Sequence, residues 1–311
     1  MMALYIIKRI FLLIPLLLGI TFIAFIILKT IPGDPAIIMA GERASAEDIE
    51  KIKRALGTEK GVIGQYAGYI LMLLKGELGR SYFTQKKVID DILEKLPNTA
   101  LLAIAAMLIA IPAGLLAGFI SGLKNGSRID RFVSGLAITG LSVPVFWVGL
   151  ILIYLVSLQL KLLPPSGTGL RFLILPAITL ALPAIASITR VTRTMVIETS
   201  SMPFIKTALA KGISHFRLYS VHIMRNIIIP VVTVIGIDFG SYLSGAVLTE
   251  TIFGWNGIGR FTFEGIMKRD YPVVMGCIIT ATVIFITINL LVDILYHFLD
   301  PRVRLGQGSK L

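Results

Sequence analysis

The stretch Ile10–Leu28 runs for 19 residues without a charged side chain, opened by Lys8 and Arg9. About 20 apolar residues in a helix cross the hydrocarbon of a bilayer, so this segment commits the chain to lipid. Five further stretches follow, at about Thr99–Leu123, Phe132–Leu160, Phe172–Ile188, Asn226–Leu248 and Val274–Leu299. Backbone polar groups in lipid must find partners within the protein, which favours helices. The pattern predicts an all-α, polytopic membrane protein with about six transmembrane helices. Composition agrees, at 55% hydrophobic and 15% charged residues, well off the soluble average. The first apolar core is longer than the 7–15 residues usual in a cleaved secretory signal, and no A-x-A-like site follows it, so it reads as an uncleaved anchor. Cys277 is the only cysteine, which excludes an intramolecular disulfide and leaves the redox compartment open.

The net charge of +12 invites a nucleic-acid reading, but its distribution argues against one. Residues 31–97 hold ten basic and ten acidic side chains, and residues 250–273 hold three of each. The excess falls on 124–131, with three basic against one acidic, on 190–225, with six against one, and on the tail after Leu299, with three against one. Alternate loops are thus positive, as the positive-inside bias requires. This predicts a multi-pass protein of the cell membrane with both termini and the 124–131 and 190–225 loops cytoplasmic.

Four regions follow: 1–30, the N-terminus and first helix; 31–97, an external helical subdomain; 98–299, a core of five spans with a cytoplasmic loop at about 197–225; and 300–311, a cytoplasmic tail. Ile31-Pro32-Gly33-Asp34-Pro35 ends the first helix. Ser45 is placed to cap a helix with Asp48 in its first turn and Gly57 at its end. Tyr66, Tyr69, Ile70, Leu73 and Leu74 make an apolar face at helical spacing. Gly114, Gly118 and Gly122 recur every fourth residue in the second span, as do Gly236, Gly240 and Ser244 in the fifth. Such columns let helices approach closely, for packing within the chain, a subunit seam or a translocation path.

Chemistry-bearing motifs are few. The sequence has no G-x-x-x-x-G-K-[ST] loop, no H-E-x-x-H and no G-x-S-x-G, and His215, His222 and His297 are scattered. No catalytic or metal site is expected. Asp238 and Asp293 are the acids inside spans, and Lys29 sits at a span end; intramembrane acids mark proton pathways or structural hydrogen bonds.

The segment 200–230 carries Lys206, Lys211, Arg217 and Arg225 and no acid. Ser200 or Ser201 is placed to cap a short helix with Pro203 in its first turn. Gly212 ends it in a left-handed conformation, and Ser214 caps a second helix running into the fifth span. The residues alone fit either an element coupling the spans to a cytoplasmic partner or an amphipathic connector on anionic lipid.

The run Lys206-Thr207-Ala208-Leu209-Ala210-Lys211-Gly212, with His222, Arg225, Asn226 and Pro230 after it, resembles the EAA loop of ABC-transporter permeases, which docks into a cleft on the ATPase. Lys206 stands at the glutamate position, so a salt bridge made by that glutamate is not carried over. Further segments, from P-G-D-P near the start through Pro97-Asn98-Thr99, Pro144-x-Phe146-Trp147, Leu163-Pro164-Pro165-Ser166-Gly167, Phe253–Arg260 and Arg269–Val274 to Asp300–Arg304, resemble the B subunits of dipeptide/oligopeptide importers. The resemblance implies a type I importer permease fold with Lys206, Thr207, Ala208, Lys211, Gly212, Ser214 and Arg217 as ATPase-coupling contacts. Gly236, Asp238, Gly240 and Ser244 are candidates for helix packing or the path. The implied partners are a second permease, two ATPases, an external solute-binding protein, peptide in transit and the bilayer, with no nucleic acid. No cofactor is expected in this chain, ATP and Mg lying on the ATPases. Nickel, glutathione or another small solute is the alternative cargo, and a proton-coupled transporter using Asp238 the more distant reading. Receptor docking is expected on 36–96 and 250–273.

Overall fold

The structure, a computed structural model, describes residues 2–30, 34–41, 44–57, 61–167 and 169–299. The turn at 31–33, the 300–311 tail and the side chains of Lys8, Arg9 and His297 lie outside the described residues. The described residues form helices without a named strand. Five of these helices are long and apolar enough to cross a membrane, and a bent pair makes a sixth if counted as one span.

α1 (Met2–Thr30) is followed by three short helices, α2 (Pro35–Ala40), α3 (Ala46–Leu56) and α4 (Val62–Leu74). Ser45 and Asp48 form a reciprocal capping box on α3, and Gly57 closes it at φ 67°, each by local backbone chemistry. Tyr66 ties α4 to α1 by donating to the Leu18 carbonyl at 2.9 Å, while Phe22 and Phe25 pack on its ring. The Asp34 carboxylate meets Lys53 at 2.9 Å.

The second span starts earlier than the sequence suggests. α5 (Val88–Leu123) passes through Pro97 without a break. A proline in a helix interior removes one hydrogen bond, but Val88 and Ile92 are buried in an apolar cluster with Ile258, Val273 and Cys277, which holds the first turns. The third expected span, 132–160, is not one helix. α6 (Arg128–Ser142) and α7 (Val145–Leu152, extended by a π-helical segment Ile153–Gln159) meet at 100°. Pro144 causes the break: it cannot donate to the ladder and forces Val143 into extended backbone, ψ 128°.

α8 (Leu170–Ser200) is the most enclosed span. Gly114, Gly118 and Gly122 of α5 lie on its Ile188, Thr189 and Val196 with no room for a Cβ. Next come α9 (Pro203–Ala210) and α10 (His215–Arg217), whose helix continues through a π segment, Leu218–Ile223, into α11 (Met224–Leu243). The fifth span therefore ends at Leu243, short of Leu248, because Gly245 adopts φ 114° and α12 (Val247–Ile252) starts afresh. α13 (Ile258–Lys268) and α14 (Tyr271–Leu299) are the last helices among the described residues.

The contacts divide the chain into two compact units. One holds residues up to 99 with 244–251 and 256–284; its core packs Phe25, Leu28 and Tyr69 on Tyr271, Val274 and Met275. The other holds 100–243, 252–255 and the residues from 285 onward; its core packs Met107 and Ala110 on Ala181, Ala184, Ile188 and Val231.

Candidate functional site

The 200–224 segment folds as a hairpin, with one change at its start. Met202 occupies the N-cap of α9 with no side-chain cap bond, and Pro203 follows at the first helical position. Neither Ser200 nor Ser201 caps it: α8 runs on to Ser200, and the Ser201 hydroxyl donates back to the Ile197 carbonyl at 2.9 Å. Because proline at the first position has no N–H to satisfy, the helix starts without a capping hydroxyl.

Ile205 and Ala208, three residues apart, point inward and join Val196, Leu218, Ile223 and Ile227 in one buried cluster. Lys206, Thr207, Lys211, Ser214 and Arg217 are exposed. Ala208 differs from them: it is small because it packs against the chain's own core, not because it lines the outer surface. The turn is a Schellman closure, with Gly212 N–H donating to Leu209 O at 2.9 Å and Ile213 N–H to Ala208 O at 3.2 Å. Gly212 has φ 75°, and a Cβ there would meet open space. Its glycine serves backbone conformation alone. Ser214 then caps α10 by accepting from Arg217 N–H.

The π segment behind the turn was not legible in the sequence. Its i→i+5 bonding puts Leu218 and Ile223 on the same buried face. Phe216 is left 81% exposed, and Leu209 of α9 is exposed too. The outer face is thus basic with apolar points, and its root is fixed in the spans. Deeper in the same unit, Asp130 is buried and held by Arg193, Nε at 2.6 Å and an η nitrogen at 2.9 Å, by the Ser121 hydroxyl at 2.6 Å and by Gly126 N–H at 2.8 Å. This bidentate pair locks the 124–131 loop to α8.

The path candidates separate. Gly236 and Gly240 lie against Val292, Phe285 and Ile288 of α14 with no spare room. Ser244 lies beyond the end of α11 and donates to the Ala281 carbonyl at 3.0 Å. Asp238 faces α8, accepting from the Ser187 hydroxyl at 2.7 Å, and one turn on Tyr242 donates to the Leu180 carbonyl at 2.8 Å. Asp238 is only half-buried. Among the described residues no cluster of three or more His, Cys, Asp or Glu side chains could hold a metal.

One fixed joint escaped the sequence reading. Glu250 is fully buried, accepting from the Thr99 hydroxyl at 2.8 Å and from Arg260 N–H at 2.9 Å. Thr99 in turn accepts from Ile258 N–H at 2.9 Å, and the Asn98 amide donates to Asn256 O at 2.8 Å. The carboxylate thus sits at the N-terminus of α13, where free N–H groups favour an anion. Burial raises the Glu250 pKa, and the bonds from Arg260 and Gly259 N–H and Thr99 O–H oppose that rise without cancelling it. The available signal was a lone acid followed by Gly257 and Gly259, where added Cβ atoms would run into the carboxylate.

Two family descriptions match the chain. Residues 110–305 match the binding-protein-dependent transport system inner membrane component, and residues 2–103 match its N-terminal counterpart. The chain is 38% identical to the dipeptide transport system permease protein DppB of Escherichia coli (strain K12), over 96% of this chain and 98% of the relative. It is 41% identical to the di/tripeptide transport system permease protein DppB of Pseudomonas aeruginosa (strain UCBPP-PA14), with the same coverages. Among solved structures it resembles a chain of the MetNI methionine ABC transporter in its inward-facing conformations, with TM-score 0.55, 13% identity, and 67% of this chain and 96% of that chain covered. At that identity the likeness concerns the fold.

Proposed function

The chain belongs to the family of binding-protein-dependent transport system inner membrane components, and from that premise we propose that it is the permease subunit of an ATP-driven importer of di- and oligopeptides. The relatives named for dipeptides and di/tripeptides support the cargo. The observation that carries the mechanism is the hairpin at 202–217, which is clamped into the spans by Ile205, Ala208 and Leu218 and bare on its outer face. A rigid root with an exposed basic tip transmits a push from a cytoplasmic partner into α8 and α11.

In this reading a second permease completes the path, two ATPases take the tips of the two hairpins, and a solute-binding protein delivers peptide from outside. ATP and Mg act on the ATPases, and both termini lie in the cytoplasm. Lys206, Thr207, Lys211, Ser214 and Arg217 form the contact face, with Gly212 as the bend between its two arms. Asp238, half-buried within a span, lies on the path and suits the ammonium end of a peptide. ATP and loaded receptor both favour the outward-open form, because a ligand shifts a conformational equilibrium only through unequal affinity for its states.

The test is copurification of the chain with a second permease and ATPases, followed by ATP hydrolysis stimulated by peptide-loaded receptor. Crosslinking from a cysteine at 206 or 211 that reached no ATPase in an intact complex would overturn the coupling role. Uptake that stops when a proton gradient collapses but survives without ATP would replace the scheme with proton coupling through Asp238.

A further inference from the structure

α8 is gripped on three sides. Its Ile188, Thr189 and Val196 take the glycines of α5, and its Thr179 and Ala186 take Gly149 of α7 and Gly140 of α6. Its Ser187 hydroxyl and Leu180 carbonyl bond to Asp238 and Tyr242 of α11. A helix turns about 100° per residue, so Thr179 and Ala186 share one direction, and Leu180 and Ser187 lie roughly a quarter-turn round from them. Pro183, Arg190 and Thr194 fall between these two directions. Arg190 and Thr194 are exposed, and Pro183 is half-buried. They make the fourth side of the span, a strip with α6 and α7 along one edge and α11 along the other.

This strip brings opposite charges together inside the span. Arg190 lies about 15 Å before the end of α8 at Ser200, and Asp238 sits at the edge, held by the Ser187 hydroxyl at 2.7 Å. Ser187 and Arg190 are three apart on one helix, which sets their Cβ atoms about 5–6 Å from each other. The guanidinium is therefore rooted within reach of the carboxylate. Even so, among the described residues no ion pair joins the two. Charged groups within a span belong to the bundle interior or to a water-filled path. A cation and an anion that stay apart there suit a ligand carrying both charges.

On the importer reading above, we propose that Asp238 and Arg190 hold the two ends of a peptide in transit, its ammonium on Asp238 beside the Ser187 hydroxyl and its carboxylate on Arg190. A planar guanidinium grips a carboxylate through two parallel N–H bonds. Two extended residues span at most about 7 Å, and the long stem of Arg190 lets the charged groups open to that separation. Both contacts are to chain ends and neither is to a side chain. The site therefore reads free termini strictly and peptide sequence loosely.

The test uses the intact complex in proteoliposomes, with the receptor loaded with alanyl-alanine and two readouts, uptake and receptor-stimulated ATP hydrolysis. Arg190→Gln lowers uptake by about tenfold or more, the loss expected of a charge-assisted hydrogen bond, while hydrolysis stays close to wild type. Arg190→Lys, which keeps the charge, recovers most of the uptake. Thr194→Cys, on the same strip, reacts with a water-soluble methanethiosulfonate, and peptide supplied during turnover slows that reaction several-fold. The native Cys277 is buried, and wild type sets the baseline. Thr194→Cys decides the matter if Arg190→Gln fails to assemble. Wild-type uptake from Arg190→Gln overturns the proposal. So does an equal loss of uptake and hydrolysis that Arg190→Lys does not restore, which marks a structural charge. Thr194→Cys that stays inert, reacts equally with and without peptide, or crosslinks to the second permease also overturns it. The importer reading fails separately, through a wild type without receptor-stimulated hydrolysis.

Discussion

The hairpin around Gly212 and the joint around Glu250 both depend on glycine, for opposite reasons. Gly212 has a left-handed backbone and empty space where a side chain would stand. Gly257 has an ordinary negative φ of −110°, but its missing side chain makes room for a buried carboxylate. The first is a conformational requirement that any small helix-ending device must meet; the second is a volume requirement set by one particular neighbour. A segment whose glycine is surrounded by space can change its surroundings, as a moving contact must. A segment whose glycines are pressed onto a fully bonded acid stays in one arrangement.

Substitutions break that contrast in a defined order. Glu250→Ala leaves the Thr99 hydroxyl and the Arg260 N–H without their acceptor in a dry site. At about 1–3 kcal/mol per unsatisfied buried group, the two groups should together cost roughly 2–6 kcal/mol, read as a lower unfolding temperature and yield in detergent. Gly257→Ala should cost about 1–3 kcal/mol by overpacking, with Gly257→Ser no better, since the obstacle is the Cβ itself; the same melting assay checks both. Gly212→Val should cost only about 1–2 kcal/mol of backbone strain, leave assembly largely intact and abolish most uptake. Gly212→Asn, which tolerates the left-handed region, should restore uptake. Wild-type uptake from Gly212→Val would remove the bend from the mechanism. Lys206→Ala, on an exposed face, should move stability by less than about 0.5 kcal/mol while reducing receptor-stimulated ATP hydrolysis.

A pH series sharpens the same contrast. Glu250 has a raised pKa, so the folded state holds its proton more tightly than the unfolded chain does. Its contribution to stability is then complete below the ordinary glutamate value of about 4.3 and falls as pH rises through the folded value. Glu250→Gln should lose this component of the pH dependence, visible as a flatter melting profile above that pH. A profile unchanged by Glu250→Gln would show that the acid stays ionised when buried.

Much of the hairpin was legible in the sequence because it is made by local rules. Pro203 at a helix start, Gly212 at a helix end and Ser214 as a cap each act within a few residues, as do Ser45 and Asp48 on α3. The apolar spans were legible for the same reason, since length and hydropathy are read one segment at a time. The inward turn of Ala208 needed the partners Val196 and Ile227, which belong to other helices. The passage of α5 through Pro97 needed the cluster around Val88, and the 100° bend showed that Pro144 outweighs an otherwise continuous apolar run.

By itself the sequence determined a helical chain in a membrane, the locally capped helix ends at Ser45, Gly57, Gly212 and Ser214, and a basic left-handed turn between two spans. Those follow from solvent choice and from backbone energetics that reach no further than one helical turn. Only the tertiary structure decided which groups are buried together: Thr99 with Glu250, 151 positions apart, and Arg193 with Asp130, 63 apart. A charge can be buried only where donors from distant segments converge on it, and that convergence is a property of the folded chain.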